Sequence, residues 1–143
     1  MQLTFLFLAM MCCALAQAAM PLRDLTMRQL YLDVKKLNKT IEHHGSLTLK
    51  NPGTDIKDCC ITSALQCYRS QVDLLKVSSN ALLCHKVQRS LRKPHIFEKL
   101  KGINISRQDC QKNQCQSCDS YPSTDSKEFM TKLISLLEMA NSN

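Results

Sequence analysis

Residues 55–77 read DIKDCCITSALQCYRSQVDLLKV, and their apolar side chains recur every three or four positions. The recurring set consists of Ile61, Ala64, Leu65, Tyr68, Val72 and Leu75. Because an α-helix makes one turn in about 3.6 residues, this spacing brings the whole set to one face. The stretch therefore predicts an amphipathic helix over residues 55–77 that buries one side against the rest of the chain.

Three further segments show the same helical periodicity. The first covers 24–43, the third lies between residues 80 and 94, and the last begins at Asp125, which has capping-box spacing with Glu128. Their apolar faces consist of Met27, Leu30, Val34, Leu37 and Ile41 in the first, Leu83, Val87 and Leu91 in the third, and Phe129, Leu133, Leu136, Leu137 and Ala140 in the last. The chain is therefore predicted to be all-α, with four helices.

The links between these helices constrain their arrangement. The first link, of about 11 residues, can reach roughly 36 Å, which is enough to return along a 20-residue helix of about 30 Å. The second link, of about four residues, forces an antiparallel turn. The third link, 95–124, holds a brief amphipathic patch (Ile96, Phe97, Leu100 and Ile103) and then a polar loop. Long, short and long links are typical of an up-up-down-down four-helix bundle with two long crossovers.

Residues 1–18 predict a signal peptide. They contain no charged side chain, and an apolar run from Leu3 to Leu15 precedes the small residues of Ala16-Gln17-Ala18. A membrane anchor is the alternative, but the run is short for a bilayer core that needs roughly 20 residues. We therefore expect cleavage near Ala18, a secreted, extracellular product, and one folded domain in residues 19–143.

Composition narrows the class of protein. The chain has 19 Lys and Arg against 12 Asp and Glu, a formal net charge of +7, and nine cysteines. So many cysteines in a short chain are typical of an oxidising compartment. Only 5% of residues are aromatic and none is Trp, which disfavours the base-stacking surfaces of single-strand nucleic-acid binders. Loss of Cys12 and Cys13 with the signal peptide would leave an odd number, so one thiol is free or pairs between chains.

Two cysteine pairs have matching spacing. On a helix, Cys60 and Cys67 would lie on one side, about 10.5 Å apart along the axis. An extended Cys115-Gln-Ser-Cys118 segment covers about 10 Å. Two parallel disulfides between these segments would fit, but spacing does not choose between the two connectivities. A zinc site at Cys115 and Cys118 would need two further ligands at ordinary spacing, so we expect no metal and no cofactor.

Motifs in every predicted helix resemble the interleukin-21 family of cytokines. They are Cys60-x6-Cys67, Cys115-Gln-Ser-Cys118-Asp-Ser-Tyr121, Lys127-Glu-Phe129 with Leu136-Leu137, Met27-Arg-Gln-Leu30 and Arg92-Lys-Pro94. The resemblance implies a short-chain, disulfide-stapled cytokine with bonds Cys60–Cys115 and Cys67–Cys118. It implies no enzymatic activity, and a monomer that bridges an interleukin-21 receptor-like private chain and the common cytokine-receptor γ chain to trigger signalling in lymphoid cells. Cys59, Cys84 and Cys110 depart from the family pattern, and their pairing stays open.

The first helix has a second surface away from its apolar stripe. Leu25 and Leu32 lie there among basic residues, which are Arg28, Lys35, Lys36 and Lys39. A solvated basic face with two incidental leucines is one interpretation. The resemblance favours the other, a contact with the private receptor chain through Arg28, Gln29, Tyr31, Arg92 and Lys93. Thr26 and Leu32 occupy positions that are charged in the family.

The last helix carries Met130, Ile134, Glu138 and Asn141 on the side away from Phe129 and Leu133. The resemblance implies that Ile134, Glu138 and Asn141 contact the common γ chain. The family has Gln where Glu138 stands and an apolar residue where Asn141 stands. A frayed polar helix end is the alternative interpretation of this segment.

Two acceptor sequons for N-glycosylation begin at Asn38 and Asn104. Other secreted classes fit less well. The adjacent Cys59-Cys60 is not followed by the His-Asp of secreted phospholipases, and it lies too far along the chain for a CC chemokine. The main alternative is a secreted basic helical peptide that binds anionic membranes or glycosaminoglycans through its charge. Its cations are spread over all four predicted helices, so we expect only weak glycosaminoglycan binding.

Overall fold

The computed structural model describes residues 22–42, 46–101 and 115–142. They contain five α-helices: α1 (Leu22–Thr40), α2 (Ile61–Asp73), α3 (Ala81–Ser90), α4 (Pro94–Lys101) and α5 (Ser126–Asn141). Two short strands, β1 (Thr48–Lys50) and β2 (Ser123–Asp125), pair antiparallel with Leu49 opposite Thr124. The protein is thus mostly helical, as its periodicity predicts, with a small sheet and disulfide bonds.

Several predicted features lie outside the described residues. They are the signal peptide of residues 1–18, the sequon at Asn104, and Cys110. Within the described ranges, no helix is both long enough and apolar enough to cross a bilayer.

A single hydrophobic core joins all five helices and β1. The predicted stripes of α2 and α5 are buried throughout, and so is that of α1 except for Ile41, which is half-buried; Leu83 of α3 is also half-buried. Tyr68 and Phe129 meet at the centre with ring centroids 5.3 Å apart. Burial of each large apolar side chain contributes about 1.5–3 kcal/mol, so these stripes account for the packing of α1 against α3, α4 and α5.

The second helix starts later than the predicted Asp55. Lys57 is extended, and Asp58–Cys60 forms a 3-10 turn that places Cys60 at the N-cap of α2. This irregular start lets Ile56 reach the core, where it is 4% exposed. In a continuous helix from residue 55, the position of Ile56 on the helix would decide where its side chain points. The extended backbone at Lys57 removes that constraint.

The same helix ends at Asp73 rather than near Val77, and the buried side chain of Asn80 explains the break. Asn80 accepts a hydrogen bond from the Val77 amide at 2.7 Å and donates one to the Leu75 carbonyl at 3.2 Å. These backbone groups find partners in the turn instead of in a continued helix. Asn80 also occupies the N-cap position of α3.

Residues 94–101 form α4, where the sequence predicted only a brief amphipathic patch in a link. Ile96 and Leu100 are fully buried by this helix, so their burial stabilises a helix of eight residues that would be marginal alone. Pro94 is its first residue, the position where a missing N–H costs least. The described residues therefore contain five helices rather than the expected four.

The ends of α1 and α5 follow local hydrogen bonding. Helix α1 stops at Thr40, before the predicted His43, and the Thr40 hydroxyl donates to the Leu37 carbonyl at 2.7 Å. At the start of α5, the Asp125 carboxylate accepts from the Glu128 amide at 2.7 Å. The predicted capping interaction of Asp125 is therefore confirmed.

The link between β1 and α2 is fixed to the core by Tyr68. Its hydroxyl donates to the Gly53 carbonyl at 2.7 Å, and the Asn51 side chain accepts from the Gly53 amide at 3.0 Å. Gly53 has φ of +75°, a conformation that L residues with a side chain rarely adopt. The link is thus held in one conformation by a buried phenol and a glycine.

Candidate functional site

The outer face of α1 exposes the residues that the sequence placed there. Leu25 is 47% exposed and Leu32 is 43% exposed, with Arg28 and Gln29 also at the surface. Leu32 follows Arg28 by one helical turn, so a cation and an apolar side chain adjoin on this face. Arginine is enriched in protein-binding surfaces, whereas single exposed leucines are common on any protein.

Sequence reasoning missed a buried carboxylate next to this face. Asp33 is 1% exposed and accepts a hydrogen bond from Gln29 Nε2 at 2.9 Å. Lys86 of α3 brings its Nζ to 3.4 Å from Asp33 Oδ2, without forming a hydrogen bond. The signal was present in the spacing, because Asp33 follows Leu30 by three residues and precedes Leu37 by four, which are core positions.

Tyr31 connects α1 to α5. Its hydroxyl donates a hydrogen bond to Glu138 Oε1 at 3.1 Å, and the Lys35 ammonium lies 5.2 Å from the ring centroid. The ring is therefore held between a carboxylate on one helix and a cation on its own helix. Two residues that the resemblance assigns to different receptor chains are in direct contact.

Arg92 and Lys93 are both exposed after α3, but they line different grooves. Lys93 lines a cleft together with Gln29 of α1. Arg92 lines a separate groove, which includes Leu65 of α2 and Phe97 of α4. Of the described residues predicted to contact the private receptor chain, Gln29 and Lys93 thus share one cleft, whereas Arg92 faces another.

The outer side of α5 differs in part from the prediction. Met130 is fully buried, so its placement on an exposed side is wrong, since it packs in the core between α5 and its neighbours. Ile134 is half-buried and packs against the same core. Glu138 and Asn141 are exposed. Of the residues predicted on this side, only Glu138 and Asn141 in the last turns of α5 are therefore fully accessible.

Two disulfides join α2 and its preceding turn to the segment before β2. Cys60 is bonded to Cys115 with Cα atoms 5.4 Å apart, and Cys67 is bonded to Cys118 with Cα atoms 5.1 Å apart. These are the two pairs that the resemblance implies. The bonds fix the segment at 115–118 alongside α2. Strand β1 is also joined to α2, because the Lys50 amide donates to the Gln71 side chain at 2.8 Å.

The remaining described cysteines have different fates. Cys59 is disulfide-bonded, and its sulfur lies within 4.8 Å of those of Cys60 and Cys115. All three sulfurs are in disulfides, so they are not thiolates that could hold a metal ion. Cys84 is a buried free thiol, and its Sγ donates to Asn80 Oδ1 at 3.6 Å. Burial raises its pKa above the ordinary value, so less of it is thiolate, the nucleophilic form, than of an exposed cysteine at the same pH.

The sequon residue Asn38 lies on α1 and is half-buried. No family model matches the chain.

Proposed function

We propose that the protein is a secreted cytokine similar to the interleukin-21 family, and that it joins a private receptor chain to the common cytokine-receptor γ chain. The proposal is supported by the exposure of two residues on each of α1 and α5 that the resemblance assigns to a receptor contact. They are Arg28 and Gln29 on α1, and Glu138 and Asn141 on α5. Disulfide bonds are compatible with an extracellular location.

The proposal includes an up-up-down-down arrangement of α1, α2, α3 and α5. Antiparallel α1 and α3 are supported by two contacts of opposite order along the helices. Asn80, at the start of α3, donates to Thr40 at the end of α1 at 3.2 Å, whereas Lys86 farther along α3 pairs with the earlier Asp33. Asn80 also donates to the Leu75 carbonyl, just after the end of α2. The ends of α1 and α2 therefore lie near the same residue, which supports a parallel arrangement of these two helices.

Further contacts support the remaining directions. Gln88, near the end of α3, donates to the Arg69 carbonyl in the second half of α2 at 3.1 Å, and the groove after α3 reaches back to Thr62 in the first turn of α2. Glu138, near the end of α5, bonds Tyr31 in the middle of α1. The start of α5 follows β2, which pairs with β1 just beyond the end of α1. In this arrangement α4 is an added helix in the second crossover.

In the proposed mechanism the protein brings two receptor chains together by binding both, and no covalent bond is made or broken. The α1 face binds the private chain through a cation and exposed leucines, and the α5 face binds the γ chain through a smaller, more polar surface. Binding of one protein molecule by both chains raises the effective concentration of each chain near the other, which promotes assembly of the signalling complex. Neither step needs a metal, a cofactor or a catalytic group.

The test uses substitutions that change charge at exposed positions. Arg28→Glu reverses a charge inside the proposed private-chain interface and should weaken binding to that ectodomain by about 2 kcal/mol, roughly 30-fold. The matched control is Lys127→Glu, which makes the same charge change at an exposed position at the start of α5. Equal weakening by both variants would indicate non-specific electrostatics and contradict the assigned interface.

The γ-chain face needs a different variant from the private-chain face. Ile134 is half-buried against the core, so a charged substitution there would also destabilise the fold. Asn141→Arg is placed at an exposed position and should reduce γ-chain binding and receptor-dependent phosphorylation while private-chain binding is unchanged. If Asn141→Arg and Arg28→Glu both kept full signalling, the bridging mechanism would be wrong.

A further inference from the structure

Three cations meet at one cleft between α1 and the end of α3, although the cations of the sequence are spread along the chain. We call this the basic cleft. It has a volume of ≈ 520 Å³ and is lined by Leu25, Thr26, Gln29, Lys86, Arg89, Ser90 and Lys93. None of these described lining residues is acidic, so the surface of the cleft carries charge of one sign.

Two of the three cations are available to a ligand. Lys86 is paired with the buried Asp33, which neutralises its charge and holds its position. Arg89 and Lys93 are exposed, and within residues 22–42, 46–101 and 115–142 neither side chain has an ion pair or a hydrogen bond. Unpaired cations on one surface produce a local positive potential that attracts polyanions.

The order of the cations fits an extended ligand. Lys86, Arg89 and Lys93 are separated by three and four residues, which is the spacing of one helix face. At about 1.5 Å per residue, such a row is roughly 10 Å long. The backbone turn continues past α3, because the Lys93 amide donates to the Ser90 carbonyl at 3.1 Å. The cations therefore form a short line rather than a ring around a compact anion.

We propose that the basic cleft binds a sulfated glycosaminoglycan of the heparan sulfate type. Sulfate groups repeat along such a chain and match a line of cations by charge. A nucleic acid is less suitable, since no aromatic residue lines the described part of the cleft for base stacking. A membrane surface is also less suitable, because Leu25 is the one large apolar side chain in that lining and membrane-bound helices need a broad apolar face.

Glycosaminoglycan binding at this position has a consequence for signalling, and this part rests on the proposed function. Gln29 and Lys93 belong both to the basic cleft and to the proposed private-chain contact. A bound polysaccharide would therefore cover part of the receptor surface. Heparan sulfate would retain the protein near the cell surface and compete with the private chain.

The direct test is affinity for immobilised heparin, measured with the folded, disulfide-bonded protein. Arg89→Gln with Lys93→Gln should lower the salt concentration of elution clearly, because two ion pairs with sulfate are lost. Lys57→Gln with Lys127→Gln is the control, since both lysines are exposed and neither lines the cleft. This control removes the same net charge and should change elution little. Lys86 is left intact because its loss would leave Asp33 buried without a cation.

Two results would overturn the site. Equal shifts for the two double variants would mean that heparin binding depends on net charge alone. Wild-type binding to desulfated heparin as strong as to heparin would exclude sulfate recognition. Circular dichroism of both variants checks that they are folded. Competition is tested separately: heparin should raise the apparent Kd for the private ectodomain in wild type and less in the cleft variant. If heparin bound the cleft but left the Kd for the private ectodomain unchanged, competition with the receptor would be contradicted, whereas glycosaminoglycan binding at the cleft would still be supported.

Discussion

The Tyr31 hydroxyl on α1 donates a hydrogen bond to the Glu138 carboxylate on α5 across 3.1 Å, although the two residues are 107 positions apart. Under the proposed function these residues contact different receptor chains. The two proposed receptor surfaces are therefore adjacent at this point, and loss of either side chain removes a hydrogen-bond partner of the other.

Tyr31→Phe removes the donor of this bond, and Glu138→Ala removes the acceptor. Because the pair is partly exposed, we expect a coupling free energy of about 0.5–1 kcal/mol in a double-mutant cycle of urea unfolding. Tyr31→Phe should also reduce γ-chain affinity by a few-fold, because Glu138 loses its orienting partner. Strictly additive effects of the two substitutions would contradict a coupled pair.

The two disulfides act as nested rather than independent constraints. With Cys60–Cys115 intact, Cys67–Cys118 closes an effective loop of roughly 12 residues, so its removal by Cys67→Ala with Cys118→Ala should cost about 3 kcal/mol in the chain-entropy model. Cys84→Ala, at a free thiol, is the control for the loss of a buried cysteine. Urea unfolding measures this cost; a loss of about 4 kcal/mol, the value for an isolated loop of about 50 residues, would show that the two loops are not nested in the unfolded chain.

Lys86 stabilises the protein through Asp33. Half of the Lys86 side chain is exposed, against 2% for Asp33, so the attraction is partly screened by solvent. Lys86→Met leaves a buried carboxylate without its cation and should lower the free energy of unfolding by roughly 1–3 kcal/mol. Adding Asp33→Leu should restore most of the loss, because an apolar residue suits the core spacing at this position. A double variant no more stable than Lys86→Met would show that the buried charge is not the cause.

Tyr68 makes stability depend on alkaline pH. Burial raises the pKa of Tyr68 above its ordinary value of 10.0 in the folded protein. Above pH 10 the unfolded chain therefore loses a proton that the folded protein keeps, and the free energy of unfolding falls by about 1.4 kcal/mol per pH unit until the folded pKa is reached. This stabilising effect is fully present below pH 10.

Tyr68→Phe should remove that dependence. At pH 7 it should cost about 1 kcal/mol, because the Gly53 carbonyl loses its donor. Between pH 10 and 11 the stability of the variant should decline less steeply than that of wild type, as measured by urea unfolding at each pH. Burial also raises the pKa values of Cys84 and Tyr121, but these groups are present in both proteins. Identical slopes would mean that the Tyr68 phenol ionises equally in the folded and unfolded states.

Helical periodicity predicted most of the buried residues, because a stripe such as Met27, Leu30, Val34 and Leu37 is a local property of one helix. Helix ends were predicted less well. The end of α2 depends on the side chain of Asn80, which lies beyond the helix and also bonds Thr40. Partners that are distant in sequence decide such boundaries, and periodicity does not contain them.

The candidate surfaces were also predicted only in part, because some of their features are local to one helix and others depend on residues distant in sequence. Exposure of Leu25, Leu32 and Arg28 follows from their positions on one helix. Burial of Met130 does not, since it depends on which neighbours pack against α5. The basic cleft also needs the structure, because it joins Gln29 to Lys93 from segments far apart along the chain.

Bridging requires that one molecule of this protein binds two receptor chains at once. The most direct measurement captures the protein on an immobilised private receptor ectodomain and then adds the γ-chain ectodomain in solution. We expect the γ chain to bind only when the protein has been captured. Arg28→Glu should weaken capture, whereas Asn141→Arg should leave capture unchanged and weaken the second step. Absence of γ-chain binding to captured wild-type protein, or absence of capture itself, would contradict bridging.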